Sequence, residues 1–208
     1  MFAPYTTINE DELPSGWSWA KIGDYCNENV SNISSADTLR GIMYLDTGSV
    51  TQNYFEPLRS LTGDADMPSR AKRKVSHGDI VYSTVRPNLK HYGIIYNPPT
   101  NMVVSTGFAV LHNNGQGVSN ELLYMWITND SISEYLQSMA ENSVSTYPTL
   151  GVADLLAVKI AVPDREILEK ANYFFGAVFL TISDNNRELR QLISSQDVLI
   201  PRLLAGGK

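Results

Sequence analysis

The sequence predicts an α+β fold, in which a mainly β globular domain with packed helices is followed by a long C-terminal helix. Short apolar segments separated by turn-forming residues occupy the chain up to about residue 112, as is typical of strands. Apolar residues at i, i+3 and i+4 spacing then run from Asn120 to Met139. From Asp164 the chain has a helical pattern almost to its end. We therefore predict two parts, a globular domain over residues 1–162 and a helix over residues 163–208.

The expected strands follow the apolar segments. After a Pro/Gly turn, Trp17 and Trp19 alternate with polar residues, which indicates a half-buried strand. Further strands are predicted in residues 41–46, 75–85 (with a turn at Gly78-Asp79), 92–96, 102–111 and 158–163. Residues 28–40 are small and polar, and we predict a loop there. Trp17, Trp19 and Trp126 are expected in the core rather than on a binding surface.

The helices have clear sequence signals. The first, residues 120–139, is expected to break near Asn129-Asp130, whereas Asp164 is a favourable N-cap for the second. With a heptad begun at Phe175, the a and d positions form a seam of Phe175, Val178, Ile182, Asn185, Leu189, Leu192, Gln196 and Leu199. Six of these eight residues are apolar, so the seam requires a partner surface. That surface is predicted to be another helix; the alternative is the chain's own domain.

Charge is distributed unevenly along the chain. The net charge is −6, yet residues 69–95 carry six basic and one acidic side chains, a local charge of +5. The basic residues are Arg70, Lys72, Arg73, Lys74, Arg86 and Lys90. Contact with phosphates needs such a local positive surface rather than a basic average. A solvated charged face is the alternative interpretation.

Composition suggests a cellular compartment. Cys26 is the single cysteine, so an internal disulfide is not possible, and the apolar runs are too short to cross a bilayer. Residues 1–14 lack the pattern of a signal peptide. We expect a cytoplasmic protein with no membrane association.

Motifs for catalysis are missing from the sequence. It has no Walker A loop, no G-x-G-x-x-G, no G-x-S-x-G, and its three histidines lack the spacing of zinc ligands. Asn97-Pro98-Pro99-Thr100 is close to the Asn-Pro-Pro-aromatic motif of amino-methyltransferases, but Thr100 stands in place of the aromatic residue. We interpret it as a loop. A methyltransferase-family enzyme is therefore the less favoured alternative, and no metal or catalytic residue is predicted.

Eight stretches together resemble the specificity subunit of type I restriction-modification systems. They are LPSGW (13–17), KIGD (21–24), YLDTG (44–48), PSRAKRKV (68–75), GDIVYSTVRP (78–87), STGF (105–108), VKIAVP (158–163) and LIPRLLAGG (199–207). In this order they extend over nearly the whole chain. The family's full subunit has two target-recognition domains, each followed by a long helix, and this sequence resembles one such half.

The resemblance implies a function and partners. It implies a non-catalytic subunit that binds double-stranded DNA sequence-specifically and carries methyltransferase subunits to a bipartite target, with restriction subunits as possible further partners. S-adenosylmethionine and ATP would be bound by those partner subunits rather than by this chain. It also implies that residues 163–208 pair antiparallel with a partner helix, and we expect a homodimer. A protein-interaction adaptor without a DNA role, suggested by the acidic average, is the alternative.

Candidate site residues follow from the basic window and the seam. We predict DNA contacts from Arg70, Lys72, Arg73, Lys74, Arg86 and Lys90, since arginine reads guanine edges and lysine mostly meets phosphate. For Arg70 and Arg86 a surface ion pair is an equal alternative. Base-reading candidates are Asn88, His91, Tyr92 and the loop of residues 143–147. The predicted dimer helix uses Phe175, Val178, Ile182, Asn185, Leu189 and Leu192.

Overall fold

A computed structural model describes residues 13–39, 41–63, 67–142 and 148–205. Its strands are β1 (Ser18–Lys21), β2 (Cys26–Glu28), β3 (Ile42–Leu45), β4 (Val50–Thr51), β5 (Tyr54–Phe55), β6 (Arg59–Leu61), β7 (Ala71–Lys74), β8 (Ile80–Ser83), β9 (Tyr92–Ile94), β10 (Met102–Ser105), β11 (Phe108–Asn113) and β12 (Lys159–Val162). Its helices are α1 (Ser35–Leu39), α2 (Asn120–Ile127), α3 (Asp130–Glu141), α4 (Val152–Leu156) and α5 (Arg165–Ala205). Within these ranges no helix has the length and apolarity to span a membrane. The mixed fold with a long final helix confirms the predicted α+β class.

Two four-stranded sheets are stacked in the globular part. The first has the strand order β6-β3-β10-β7 and the second β2-β11-β8-β9. Val104 of the first sheet and Val81 of the second belong to the apolar cluster between them. A larger cluster lies on the other face of the second sheet, where helices cover it. The second sheet is thus buried on both faces.

The sequence of strand β8 explains why the second sheet can be buried on both faces. All four of its residues, Ile80 to Ser83, are buried. Since side chains alternate along a strand, Ile80 and Tyr82 join the helix-side cluster while Val81 faces the other sheet. A continuous apolar run is therefore what this position in the fold requires.

The helical segment divides where its sequence suggested. The Ser119 hydroxyl caps α2 by accepting a hydrogen bond from the Leu122 N–H (3.1 Å), and the Asn129 side chain caps α3 by accepting one from the Ser131 N–H (3.0 Å). A new cap at Asn129 starts a second helix, because the side-chain oxygen satisfies an otherwise unpaired backbone donor. The predicted break is confirmed.

Three predictions about strands and loops were wrong. The strand expected at residues 75–77, before the turn at Gly78-Asp79, lies earlier in the chain, at Ala71–Lys74. Residues 102–111 form two strands in different sheets, because the chain turns at Thr106-Gly107. A Cβ on Gly107 would lie 2.7 Å from Thr47 Cγ2, so the turn needs a glycine there. The expected loop at 28–40 contains the short helix α1, where Ser34 donates from both its N–H and its hydroxyl to Asp37 (2.7 Å each).

The two ends of the globular part meet at one point. Strands β1 and β12 pair antiparallel, with Ser18 opposite Val162 and Lys21 opposite Lys159. Asp164 follows β12 after Pro163 and accepts a hydrogen bond from the Ile167 N–H (3.0 Å), which confirms it as the N-cap of α5. Of the three tryptophans, Trp126 is buried as predicted, whereas Trp17 and Trp19 are half-buried.

Helix α5 is part of the globular core before it becomes a separate arm. It has 41 residues and is therefore about 60 Å long. Leu168, Ala171 and Phe175 pack against the helix-side cluster, and Phe179 is 5% exposed within it. The Phe179 ring meets Tyr124 edge to face, with centroids 5.3 Å apart. The predicted boundary at residue 162 thus marks the start of the helix, while the core continues to Phe179.

Replacing Phe179 with alanine tests this extension of the core. Phe179→Ala should lower the free energy of unfolding by about 3–5 kcal/mol, because it removes a buried ring and leaves a cavity. Leu180→Ala is the matched control, since Leu180 is 62% exposed on the next position of the same helix. Urea titration followed by circular dichroism measures both. Similar small losses for the two variants would contradict the packing described.

Candidate nucleic-acid interface

Four backbone segments converge at one edge of the two sheets. The Thr106 N–H donates to the Arg70 carbonyl (2.8 Å), and the Thr84 N–H donates to the Gly107 carbonyl (2.9 Å). The Thr84 carbonyl in turn accepts a hydrogen bond from the Leu150 N–H (2.8 Å). These bonds join residues near 70, 84–86, 105–107 and 148–150 into one surface.

Two of the predicted DNA-binding arginines lie on this surface. Arg70 and Arg86 are both exposed, and they adjoin strands of different sheets: Arg70 precedes β7 and Arg86 follows β8. The Arg86 N–H donates to the Pro148 carbonyl (3.1 Å), which places Arg86 beside the residues that follow the 143–147 segment. We call Arg70, Lys72 and Arg86 the cationic edge, since Lys72 lies in the strand that follows Arg70 and is also exposed.

The other basic residues of β7 are engaged with the protein. Lys74 Nζ lies 2.9 Å from Asp37 Oδ2. The Ser34 backbone N–H and the Lys74 ammonium hold the pKa of the Asp37 carboxyl well below its usual range. Arg73 is half-buried, burial lowers its pKa, and its Nη1 has no hydrogen-bond partner within the described ranges. Lys74 and Arg73 are thus less available to a ligand than Lys72.

Lys90 lies at the end of a short turn that follows the cationic edge. Its Nζ donates to Asp130 Oδ1 (2.7 Å), and this bond raises the pKa of Lys90. The turn itself is a 3-10 helix, Pro87–Leu89, with Asn88 and Leu89 exposed. Within it, the Asn88 N–H donates to Gln137 Oε1 (3.1 Å) of α3.

The two remaining candidates differ in burial. His91 is half-buried, with Nδ1 2.6 Å from the Val50 carbonyl oxygen. Tyr92 is 4% exposed, stacks on Tyr82 with centroids 5.5 Å apart and meets Tyr124 edge to face. Because Tyr92 lies directly opposite Tyr82 in the β8–β9 pair, both rings face the helices. The prediction that Tyr92 contacts DNA is therefore corrected: Tyr92 belongs to the core. The 143–147 loop lies outside the described residues.

The predicted dimer helix has a largely exposed seam. Val178, Ile182, Leu189 and Leu192 are 37%, 37%, 46% and 61% exposed, and Asn185 is exposed as well. Phe175 is the exception, because it packs on the chain's own domain, while Phe174 is 60% exposed. The cause is that the chain's own domain covers the face of α5 on which Phe175 lies. We call Phe174, Val178, Ile182, Asn185, Leu189 and Leu192 the exposed stripe.

A cleft of about 240 Å³ separates the globular part from the middle of α5. Asn53 and residues 55–58 and 94–99 line one side, and Ser183, Asn186 and Arg190 line the other. Asn97-Pro98-Pro99 forms the turn between β9 and β10, with the Asn97 N–H donating to His77 Nδ1 (3.1 Å). This agrees with its interpretation as a loop. The parts of the chain that the structure describes hold no group of His, Cys, Asp and Glu side chains suited to a metal ion.

Comparison with known proteins finds a relative by sequence. No family model matches the chain. The specificity subunit of the type I restriction enzyme HindI from Haemophilus influenzae is 29% identical over 156 residues, which are 75% of this chain and 34% of that subunit. The chain thus spans about a third of the length of the curated relative that it matches.

Solved structures share the fold. The HsdS subunit from Thermoanaerobacter tengcongensis aligns with a TM-score of 0.66 at 23% identity, over 94% of this chain and 50% of that one. A chain from a study of complex assembly and conformational transition in the type I R-M system gives 0.63 at 24%, with the same coverage. The S subunit from M. genitalium gives 0.56 at 16%, over 89% and 45%. By sequence and by fold the chain is thus similar to specificity subunits of type I restriction-modification systems, and it is about half as long as the solved ones.

Proposed function

We propose that the chain is a DNA-specificity half-subunit, which binds double-stranded DNA sequence-specifically and directs type I methyltransferase subunits, with restriction subunits, to a bipartite target. The observation that carries this proposal is the cationic edge, an exposed positive surface on a protein of net charge −6. Arg70 and Arg86 lie next to strands of two different sheets, whose backbones meet at this edge. Positive side chains held at one rigid edge neutralise phosphates and release counterions, which is the main source of affinity for DNA.

The division of labour at such an interface follows from chemistry. Contacts from arginine and lysine to phosphates set the position of a protein on the duplex, whereas side chains at base edges select the sequence. Lys72 is suited to the first task as an exposed point charge. Loops beside the cationic edge, such as the turn at Asn88, are suited to the second.

We propose that the chain has no catalytic role and that its partner subunits bind S-adenosylmethionine and ATP. The chemistry of the described residues supports this. Burial and the nearby Glu28 raise the pKa of the Cys26 thiol to about 12, so the thiolate nucleophile is scarce at neutral pH. Asn97-Pro98-Pro99 is used as a turn between two strands.

The second half of the target is proposed to be bound by a second copy of the chain. The exposed stripe offers apolar side chains along α5, and an antiparallel helix pair would bury both copies of it. A twofold dimer presents the same reading surface twice, at opposite ends of the helix pair. Its target is therefore a palindrome interrupted by a spacer.

Removing positive charge from the cationic edge tests DNA binding. For the double variant Arg70→Ala/Lys72→Ala we expect the slope of log affinity against log salt to become shallower by up to about 1.8, because two phosphate contacts are lost. Fluorescence anisotropy with a random-sequence duplex measures it. Arg165→Ala/Lys170→Ala is the matched control, since both residues pair with glutamates of their own helix. Affinity of the wild type that does not depend on salt would support the adaptor alternative instead.

Catalytic silence is a separate expectation. The purified chain should transfer no labelled methyl group from S-adenosylmethionine to DNA, and methylation should begin when the methyltransferase subunit is added. Scintillation counting of the DNA measures both reactions. Methyl transfer by the chain alone would favour the methyltransferase alternative.

Dimerisation can be measured directly by light scattering. We expect the wild type at micromolar concentration to have twice the chain mass of 23.1 kDa. The variant Ile182→Asp/Leu189→Asp should have the mass of one chain, because it places charges in the exposed stripe, which the dimer would bury. Leu180→Asp, an exposed position outside the stripe, should stay dimeric. A monomeric wild type would refute the homodimer, and an asymmetric methylated motif in the host would identify the second half as another chain.

A further inference from the structure

We infer that the turn Pro87–Leu89 is the element that reads base edges, with Asn88 selecting an adenine and Leu89 an adjacent thymine in the major groove. Gln137 of α3 is the positioning residue for this turn. The inference rests on the proposed DNA-binding function and adds to it the residues and base types that determine specificity.

The backbone of the turn is held in an uncommon conformation at both ends. Arg86 has φ of 50° and Lys90 has φ of 56°, both in the left-handed region that residues other than glycine rarely adopt. Pro87, which follows Arg86, has its own φ angle fixed by its ring. Such conformations persist where the surrounding structure imposes them, and they cluster at sites that contact ligands.

Contacts from two separate elements impose this conformation. On one side, α3 supplies Gln137, whose Oε1 accepts from the Asn88 N–H (3.1 Å), and Asp130, which pairs with Lys90 (2.7 Å). On the other side, the Gln52 N–H of the β4–β5 connection donates to the Lys90 carbonyl (3.0 Å). A turn fixed from both sides can present side chains with little loss of entropy on binding.

The side chains that the turn presents have a particular chemistry. Asn88 is exposed, and its side-chain amide makes no hydrogen bond within the described ranges. Leu89 is 47% exposed beside it. An asparagine amide both donates and accepts, which matches N7 and the amino group of adenine in the major groove, whereas A·T pairs offer only acceptors in the minor groove. An apolar side chain next to it matches the methyl group of thymine.

The position of the turn relative to the cationic edge is also suitable. The turn begins at Arg86, which is a member of that edge and lies beside Pro148. A phosphate contact at Arg86 would therefore fix the distance between the DNA backbone and Asn88. Contacts of this kind set the register in which neighbouring side chains meet the bases.

Selection from a randomised duplex library tests the inference, with the full chain as the protein and sequencing of bound DNA as the readout. The wild type should select a motif. In Asn88→Ala the preference for adenine at one position should fall roughly tenfold, and in Leu89→Ala the preference for thymine at a neighbouring position should fall. Thermal unfolding of each variant verifies that it folds.

The role of Gln137 is tested by a pair of substitutions. Gln137→Met removes the acceptor for the Asn88 N–H at nearly the same length and should weaken the same adenine preference. The double variant Gln137→Glu/Glu141→Gln retains that acceptor, and it exchanges donor and acceptor in the Gln137–Glu141 hydrogen bond (2.7 Å), so it should preserve the preference. Ser138→Ala on the next position of α3 is the control, since its hydroxyl bonds within the helix. A purely structural role for Gln137 would lower the unfolding temperature and leave the selected motif unchanged.

The outcomes separate this inference from the proposed function. If the wild type selects a motif that is identical in Asn88→Ala and Leu89→Ala, the turn does not read bases, while DNA specificity stands. If the wild type binds duplexes without any base preference, the inference is overturned together with the sequence-specific part of the proposed function. If it binds no DNA, the proposed function fails as well.

Discussion

The burial of β8 and β11 on both faces is the constraint on which the proposed interface depends. These strands pair with Phe108 opposite Ser83, so the chain leaves β8 at the same edge where it enters β11. Thr84 and Gly107 therefore meet directly beyond the pair, and Arg86 follows two residues later. Because the strands are enclosed by apolar clusters on each side, the edge cannot shift without opening the core. Arg86 lies in a loop, yet its backbone is therefore held in place by a buried sheet.

Ion pairs and burial reduce the number of basic side chains in the window that a ligand can reach. Lys74 and Lys90 each pair with an aspartate, and Arg73 places part of its guanidinium in the interior. Exposed ion pairs contribute little to stability, but each one lowers the local positive potential. The +5 balance of the basic window is therefore an upper bound on what the surface presents, and Arg70, Lys72 and Arg86 account for its exposed part.

Sequence reasoning succeeded where a local signal determines local structure. The cap at Asn129 and the N-cap at Asp164 were predictable, because a short polar side chain satisfies a backbone donor a few residues away. Tyr92 was misplaced because the direction of a side chain in a three-residue strand depends on which residue it opposes in the partner strand. Phe175 was misplaced because the chain's own domain covers that face of α5, a tertiary contact with no mark in the heptad pattern. The left-handed residues at Arg86 and Lys90 carried no signal either, since neither is glycine or asparagine.

The pairing of β1 with β12 has a consequence for how such a domain can be exchanged between proteins. The chain enters and leaves the globular part at adjacent points, so a different domain could be joined there without altering the path of α5. The fusion point matters, however, because Leu168 and Phe179 belong to the core of this domain. A graft joined at residue 162 would press a foreign surface against those side chains, whereas one joined beyond Phe179 would carry the matching face of the helix with it. The unit that could be exchanged is therefore the domain together with the first four turns of α5, and the remainder of the helix would stay unchanged.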